Sequence, residues 1–171
     1  MRLQTERLTL REFADGDAEV LGQMNTEPEV MRYIGNGLPR DPEQAFELVE
    51  KFKAAWAERG YGTFAVEIRE SGEFAGFAAM APPTFLPEIM PVIEVGWRLR
   101  RDLWGKGYAT EAAREVIRFA FEEVGLDRVV SCIHSENAAS IRVAEKLGMA
   151  LERETVVPGY EVPCNVYELK A

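Results

Sequence analysis

Soft metal ligands are nearly missing from this sequence: two cysteines, Cys132 and Cys164, and one histidine, His134, among 171 residues. Neither cysteine sits in a zinc-ligand spacing, so no metal site is expected. Two cysteines also fall short of the disulfide framework of a small secreted domain. Cys132 lies in an apolar, strand-like run and is expected to be a small core residue. No stretch approaches the roughly 20 apolar residues of a membrane span. The opening run Met1-Arg2-Leu3-Gln4-Thr5-Glu6-Arg7 lacks the apolar segment and cleavage site of a signal peptide. A cytoplasmic protein with no membrane partner is the expectation. Positive charge is scarce as well: 20 Lys and Arg stand against 29 Asp and Glu, for a formal net charge of −9. A nucleic-acid partner needs many cations on one face and is therefore not expected. An acidic surface suits a cationic acceptor such as an amine or a basic peptide, and equally serves solubility.

Hydrophobic residues make up 47% of the chain and charged ones 29%, ordinary values for a globular domain. The length fits one domain over residues 1–171 with a substantial core, and no repeat or linker divides it. Near alternation through Leu8, Leu10 and Phe13 reads as an opening strand. Asp15 resembles a cap for a helix through Ala18, Val20, Leu21 and Met24. A second helix is expected over 41–59, with Pro42 just inside its start, Phe46, Val49, Phe52 and Trp56 on its apolar face, and Gly60 past its end. Strands follow over 62–68 and 74–81, then a proline-rich loop over 82–91 and a strand over 91–99. A helix over 110–124, a strand over 128–133, a helix over 138–147 and strands over 150–157 and 163–169 complete the order. Mixed order of this kind points to an α/β sheet with helices on its faces.

The chemistry concentrates where the strand Ile93-Glu94-Val95-Gly96-Trp97-Arg98-Leu99 runs into a loop with two glycines, Gly105 and Gly107, that opens a helix. Glycines let a backbone approach an anion, and the first amides of the helix point at it. Arg98, Arg100, Arg101 and Lys106 make this a basic patch in an acidic chain, so a phosphate-bearing ligand is inferred. Gly105-Lys106-Gly107 lacks the spacing of a nucleoside-triphosphate loop and the third glycine of a dinucleotide fingerprint.

The run Trp104-Gly105-Lys106-Gly107-Tyr108-Ala109-Thr110-Glu111-Ala112 resembles the pyrophosphate loop of the GNAT (GCN5-related N-acetyltransferase) superfamily. The resemblance is strongest to the branch of ribosomal-protein N-terminal acetyltransferases, the RimJ/RimL-like enzymes. Downstream, Asn137-Ala138-Ala139-Ser140-Ile141-Arg142-Val143-Ala144-Glu145-Lys146-Leu147-Gly148-Met149 resembles that branch's second signature. The resemblance spans nearly the whole chain. It implies a mixed, mostly antiparallel central sheet of about seven strands, flanked by helices on both faces. It also implies transfer of acetyl from acetyl-CoA, as co-substrate, to a primary amine by direct attack on the thioester. The acceptor would be a protein or peptide N-terminus or a small amine.

By that resemblance the backbone around Trp97 and Leu99 pairs with the pantetheine arm. The amides of Trp104, Gly105, Lys106, Gly107, Tyr108, Ala109 and Thr110 hold the pyrophosphate. Asn137 is a cofactor partner, and by its position also a helix cap. Glu94 is a general base, with an amine-binding or structural carboxylate as the other reading. Ala144 stands where many relatives carry a tyrosine acid, and Trp104 where many carry Arg or Gln. Ser140 is the nearest substitute for the tyrosine: it contacts the cofactor first and donates a proton second, a hydrogen bond to the departing sulfur being enough. His134 receives no role. The loops near Phe85 and Tyr160 are expected on the acceptor side, with Tyr33, Trp56 and Phe85 as candidate pocket residues. Two alternatives stand beside this reading: transfer of a longer acyl group such as succinyl, and a non-catalytic CoA-binding sensor. The missing tyrosine favours the sensor; Glu94, Asn137 and Ser140 weigh against it. Enzymes of this kind are often homodimers, although no stretch of this sequence marks an interface.

Overall fold

The computed structural model describes residues Met1–Ala171. Its strands are β1 (Arg2–Gln4), β2 (Leu8–Arg11), β3 (Phe64–Ile68), β4 (Phe74–Ala81), β5 (Glu94–Leu99), β6 (Arg128–His134), β7 (Ala150–Val157) and β8 (Val162–Lys170). The helices are α1 (Asp17–Asn25), α2 (Pro28–Met31), α3 (Gln44–Arg59), α4 (Tyr108–Glu122) and α5 (Ala138–Lys146). One sheet in the order β1-β2-β3-β4-β5-β6-β8-β7 joins all eight strands. Every neighbouring pair is antiparallel except β5 and β6. The count of seven strands is one short because β1 has only three residues and buries only Leu3. An alternation that brief carries no readable period.

Two layers cover the sheet. On one face α4 lays down Ala112, Ala113, Val116, Ile117, Phe119 and Ala120 against Leu8, Leu10, Phe64, Val66, Met80 and Val95. Trp56 closes the end of this layer. Its ring packs edge-on to Phe64 at 4.8 Å and its indole N–H donates to Thr63 O at 3.0 Å. Trp56 is thus a core residue and not part of an acceptor pocket. On the other face α1, α2 and α3 cover Phe13, Ala65, Phe74 and Phe77.

Three local readings are corrected. The α1 cap is Gly16, with no side-chain bond. Asp15 binds Lys53 instead, while the Asp17 carboxylate accepts the Ala14 N–H and pairs with Arg11. Helix α3 starts at Gln44, leaving Pro42 in the preceding turn. Phe46, read as apolar-face, is 57% exposed, since the face that meets the sheet runs through Ala45, Val49 and Trp56.

One irregularity in β4 decides where the site's side chains point. The ladder with β3 slips between Val66 and Glu67, so Phe74 and Phe77 both face the α1–α3 layer while Ala75 and Ala78 face α4. Gly76 sits in the slip at φ 141°, and a Cβ there would lie 2.1 Å from the Arg98 carbonyl oxygen. Gly76→Ala is therefore expected to cost about 3–5 kcal/mol, since neither backbone can give way. Chemical denaturation checks this; a loss under about 1 kcal/mol would mean that the strands separate easily here.

Candidate active site

Strands β5 and β6 run parallel but meet only at Glu94 and Val130, where the Val130 N–H donates to Ile93 O at 3.0 Å. Past that point they diverge. Backbone groups of alternate residues point to the same side of a strand. Val95 O accepts Ser131 Oγ at 2.5 Å and Leu99 O accepts the Trp104 indole N–H at 3.0 Å, both on the β6 side. Trp97, midway between them, consequently presents its N–H and C=O to the opening. An extended ligand arm could pair there like an added strand. Leu99 contributes less than the sequence suggests, because its side chain is buried and its carbonyl already has a partner.

The opening holds two joined hollows. The larger, about 490 Å³, is lined by Trp97, Leu99, Trp104, Gly105, Gly107, Tyr108, Ala109, Thr110, Asn137 and Ser140, which is every expected cofactor residue except Lys106. Lys106 is exposed and offers its carbonyl to Arg7 Nη1 at 2.9 Å. Gly105 and Gly107 both have left-handed backbone, at φ 75° and 82°, which turns the chain into α4. The α4 N-terminus has no side-chain cap, and the amides of Tyr108, Ala109 and Thr110 have no partner within the chain. Free amides at the positive end of a helix dipole form an anion site. The Trp104 indole on Leu99 O, with the Arg101 guanidinium 4.7 Å over its ring, pins the loop.

The basic patch read from the sequence does not assemble on this hollow. Arg100 pairs with Asp102 and Glu73, and Arg101 with Glu29. Arg98, on the face of β5 that carries Glu94, lines both this hollow and the second one. The exposed cations that do line the hollow are Arg142 and Lys146 of α5, with Arg32. Arg142 and Lys146 stand four residues apart, a same-face helical spacing that the sequence displays. Their link to the glycine loop is tertiary and cannot be read there.

The second hollow, about 380 Å³, is lined by Glu94, Gly96, Arg98, Cys132 and His134, with Tyr33, Phe85 and Tyr160 towards the solvent. Two of the three expected acceptor-side aromatics, Tyr33 and Phe85, are thus present. Glu94 is half-buried, and its Oε1 accepts the Cys132 N–H at 3.2 Å. Burial pushes its pKa up to about 7, against the lowering effect of that hydrogen bond. Near neutrality it is therefore poised to take a proton. Cys132 is half-buried: it packs against the small core cluster of Leu86, Ile89, Val92, Val130 and Val166, and it also forms part of this wall. A hydrogen bond with Cys164, burial and the Glu94 charge push its thiol pKa up, so it does not act as a thiolate nucleophile. His134 is held in the wall: its Nδ1 accepts the Glu136 N–H at 3.1 Å and its ring lies 5.0 Å from Tyr33.

Asn137 and Ser140 line both hollows. Asn137 Oδ1 accepts the Ser140 N–H at 3.2 Å, so Asn137 caps α5 as its position suggests. The site brings together a glycine loop with free helix-terminal amides, an unpaired strand segment and a half-buried carboxylate, meeting where the sheet splits.

Comparison with known proteins agrees with this geometry. A family description, Acetyltransferase (GNAT) domain, matches residues 7–150. The chain is 36% identical over 176 residues to the uncharacterized protein YkkB of Bacillus subtilis (strain 168), covering 99% of this chain and 96% of that one. It is 34% identical over 166 residues to the FsC-acetyl coenzyme A-N(2)-transacetylase of Aspergillus fumigatus, covering 94% and 69%. A crystal structure of an acetyltransferase from Agrobacterium tumefaciens superposes with TM-score 0.84 at 30% identity, covering 100% of this chain and 95% of the other.

Proposed function

The chain belongs to the GNAT acetyltransferases of the RimJ/RimL type, and from that premise we propose that it acetylates a primary amine by direct attack on acetyl-CoA, with Glu94 as the base. Use of acetyl-CoA follows from the family; the amine acceptor, the route and the residue roles are our reading. One observation carries it: a carboxyl with a pKa near 7 lines the hollow that joins the uncapped helix terminus, where β5 and β6 separate.

In this reading the amides at the start of α4 hold the pyrophosphate, and Trp97 pairs with the pantetheine arm. The amine enters through the second hollow. Its nitrogen forms a bond to the thioester carbonyl carbon, Glu94 takes the surplus proton, directly or through water, and the C–S bond breaks. A thiol of pKa near 8.5 leaves readily as thiolate. Ser140, at the junction, supplies a hydrogen bond to that sulfur, which suffices where a tyrosine acid is missing. No side chain here is an activated nucleophile paired with a base, in keeping with direct transfer.

The test is free-thiol release from acetyl-CoA against amines, amino acids and basic peptides. Turnover with one class is the expected result. Silence across the panel with micromolar CoA binding intact would overturn catalysis in favour of a sensor role.

A further inference from the structure

Arg98 is a buried cation in the site, and no acid pairs with it. Its guanidinium is buried, its Nε has no hydrogen-bond partner, and its Nη1 donates only to the neutral Asn25 Oδ1, at 2.9 Å. Its Cζ lies over the Phe77 ring, 4.9 Å from the centroid. The charge that acts on it is another cation, Arg40, which lines the same hollow. Asn25, at the end of α1, holds both arginines: its side chain takes Arg98, and its backbone carbonyl accepts the Arg40 N–H at 2.9 Å. Burial, then the Arg40 charge, lowers the Arg98 pKa to about 9, which leaves it cationic at neutral pH.

A buried cation without a counter-charge is strongly unfavourable. The chain has 29 acidic residues, yet none pairs with Arg98; the one that lines this hollow, Glu94, takes the Cys132 N–H. The arrangement is instead completed by a ligand that brings its own negative charge. Glu94, Gly96 and Arg98 share one face of β5, and Gly96, with open space above it, leaves a bare floor between the two charged ends. Four residues of strand separate those ends by about 13 Å at the backbone; the Arg98 guanidinium lies over Phe77 with its Nη1 on Asn25, and Glu94 Oε1 takes the Cys132 N–H.

We infer that the acceptor is an amine that also carries a carboxylate, seated with its acid on Arg98 and Arg40 and its nitrogen towards Glu94. The planar guanidinium fork suits a carboxylate. Polyamines and aminoglycosides, which the acidic surface as a whole would favour, meet like charge at this end of the hollow. This inference rests on the transfer reading above and narrows its acceptor.

The test compares matched acceptors, each amino acid against its amide and its decarboxylated amine, in the wild type and in Arg98→Gln and Arg40→Gln. Wild type should favour the acid by about 100-fold or more in kcat/KM, as expected where a buried charge pair is completed by the ligand. The preference should fall below about 5-fold in Arg98→Gln, chiefly through KM, and to an intermediate value in Arg40→Gln. Acetyl-CoA affinity by calorimetry should stay unchanged in both variants. Equal turnover of acid and amide, or a preference that survives both substitutions, overturns the proposal. A second arm replaces acetyl-CoA by succinyl-CoA. A wild-type preference for the succinyl donor that Arg98→Gln removes would place the carboxylate on the donor, and overturns it too. A third arm needs no turnover: N-acetyl amino acids should raise the thermal midpoint of the wild type, and not of Arg98→Gln, while their amides raise neither. That pattern without any turnover would keep the anion site and remove the transfer reading; no shift with any acid removes the site.

Discussion

Glu94→Gln should lower turnover of a lysine-type amine by about 10²–10⁴-fold while leaving acetyl-CoA affinity unchanged, because only proton removal is lost. The size depends on the acceptor. Deprotonating a lysine amine of pKa about 10.4 at pH 7 costs roughly 4–5 kcal/mol, against about 1 kcal/mol for an α-amine. An α-amine acceptor should accordingly show the smaller loss. In the wild type the pH–rate profile should contain a rising step near pH 7, where Glu94 becomes the carboxylate, and the variant should lack it. Equal profiles would make Glu94 a structural or amine-binding carboxylate.

The same substitution should stabilise the fold. The native chain binds the Glu94 proton more tightly than the unfolded chain, with a pKa of about 7 against 4.5. Between those values folding takes up a proton, so this residue's contribution to stability falls as pH rises. Below about 4.5 the penalty is absent; above about 7 it is fully present. Allowing for the half-exposed side chain, it is on the order of 2 kcal/mol. Glutamine cannot carry that charge. Glu94→Gln should then melt several degrees higher than wild type at pH 8 and about equally at pH 4.5. Lost activity with gained stability is the signature of a group held against its preferred environment for function. A residue kept for structure alone would lose both.

How much of this was legible in the sequence depends on whether the signal was local. The glycine loop and α4 were, because Gly105, Gly107 and the α4 spacing of Ala113, Val116, Ile117 and Ala120 lie within one continuous segment. The capping role of Asn137 was too, since a cap acts three residues away. Glu94 could be named from its place beside the loop, but not its raised pKa, which comes from burial under the walls that β6 and β8 bring over it, against the lowering hydrogen bond from Cys132. The cations were misread for the same reason. Arg98, Arg100, Arg101 and Lys106 cluster in sequence, but a strand sends neighbours to opposite faces, and Glu29, Glu73 and Asp102 claim two of them. The Arg98–Arg40 pair depends on Asn25, 73 residues from Arg98, and nothing in the sequence links the three.

Gly107→Val should abolish measurable acetyl-CoA binding, a loss of about 100-fold or more, while the sheet and its core stay formed. Gly107 is the α4 cap at φ 82°, a conformation in which a β-branched residue is a rare outlier. A Cβ there would lie 3.4 Å from Arg7 Nη2, and Arg7 also holds the loop through Lys106 O and the helix through Glu111. Relief of the strain requires φ to change, which rotates the Tyr108, Ala109 and Thr110 amides away from a common anion. The stability loss should be about 1–3 kcal/mol, the range for one strained residue, because no buried apolar side chain moves. Calorimetry and circular dichroism on the same sample separate the two effects. Full affinity in a folded variant would mean that the pyrophosphate is held elsewhere, and Arg142 and Lys146 on the opposite wall would then be the groups to replace next. Gly105→Ala, at φ 75° with no atom near its Cβ, serves as the control. It introduces a milder left-handed strain with no clash and sits before the helix, so it should weaken binding less than Gly107→Val.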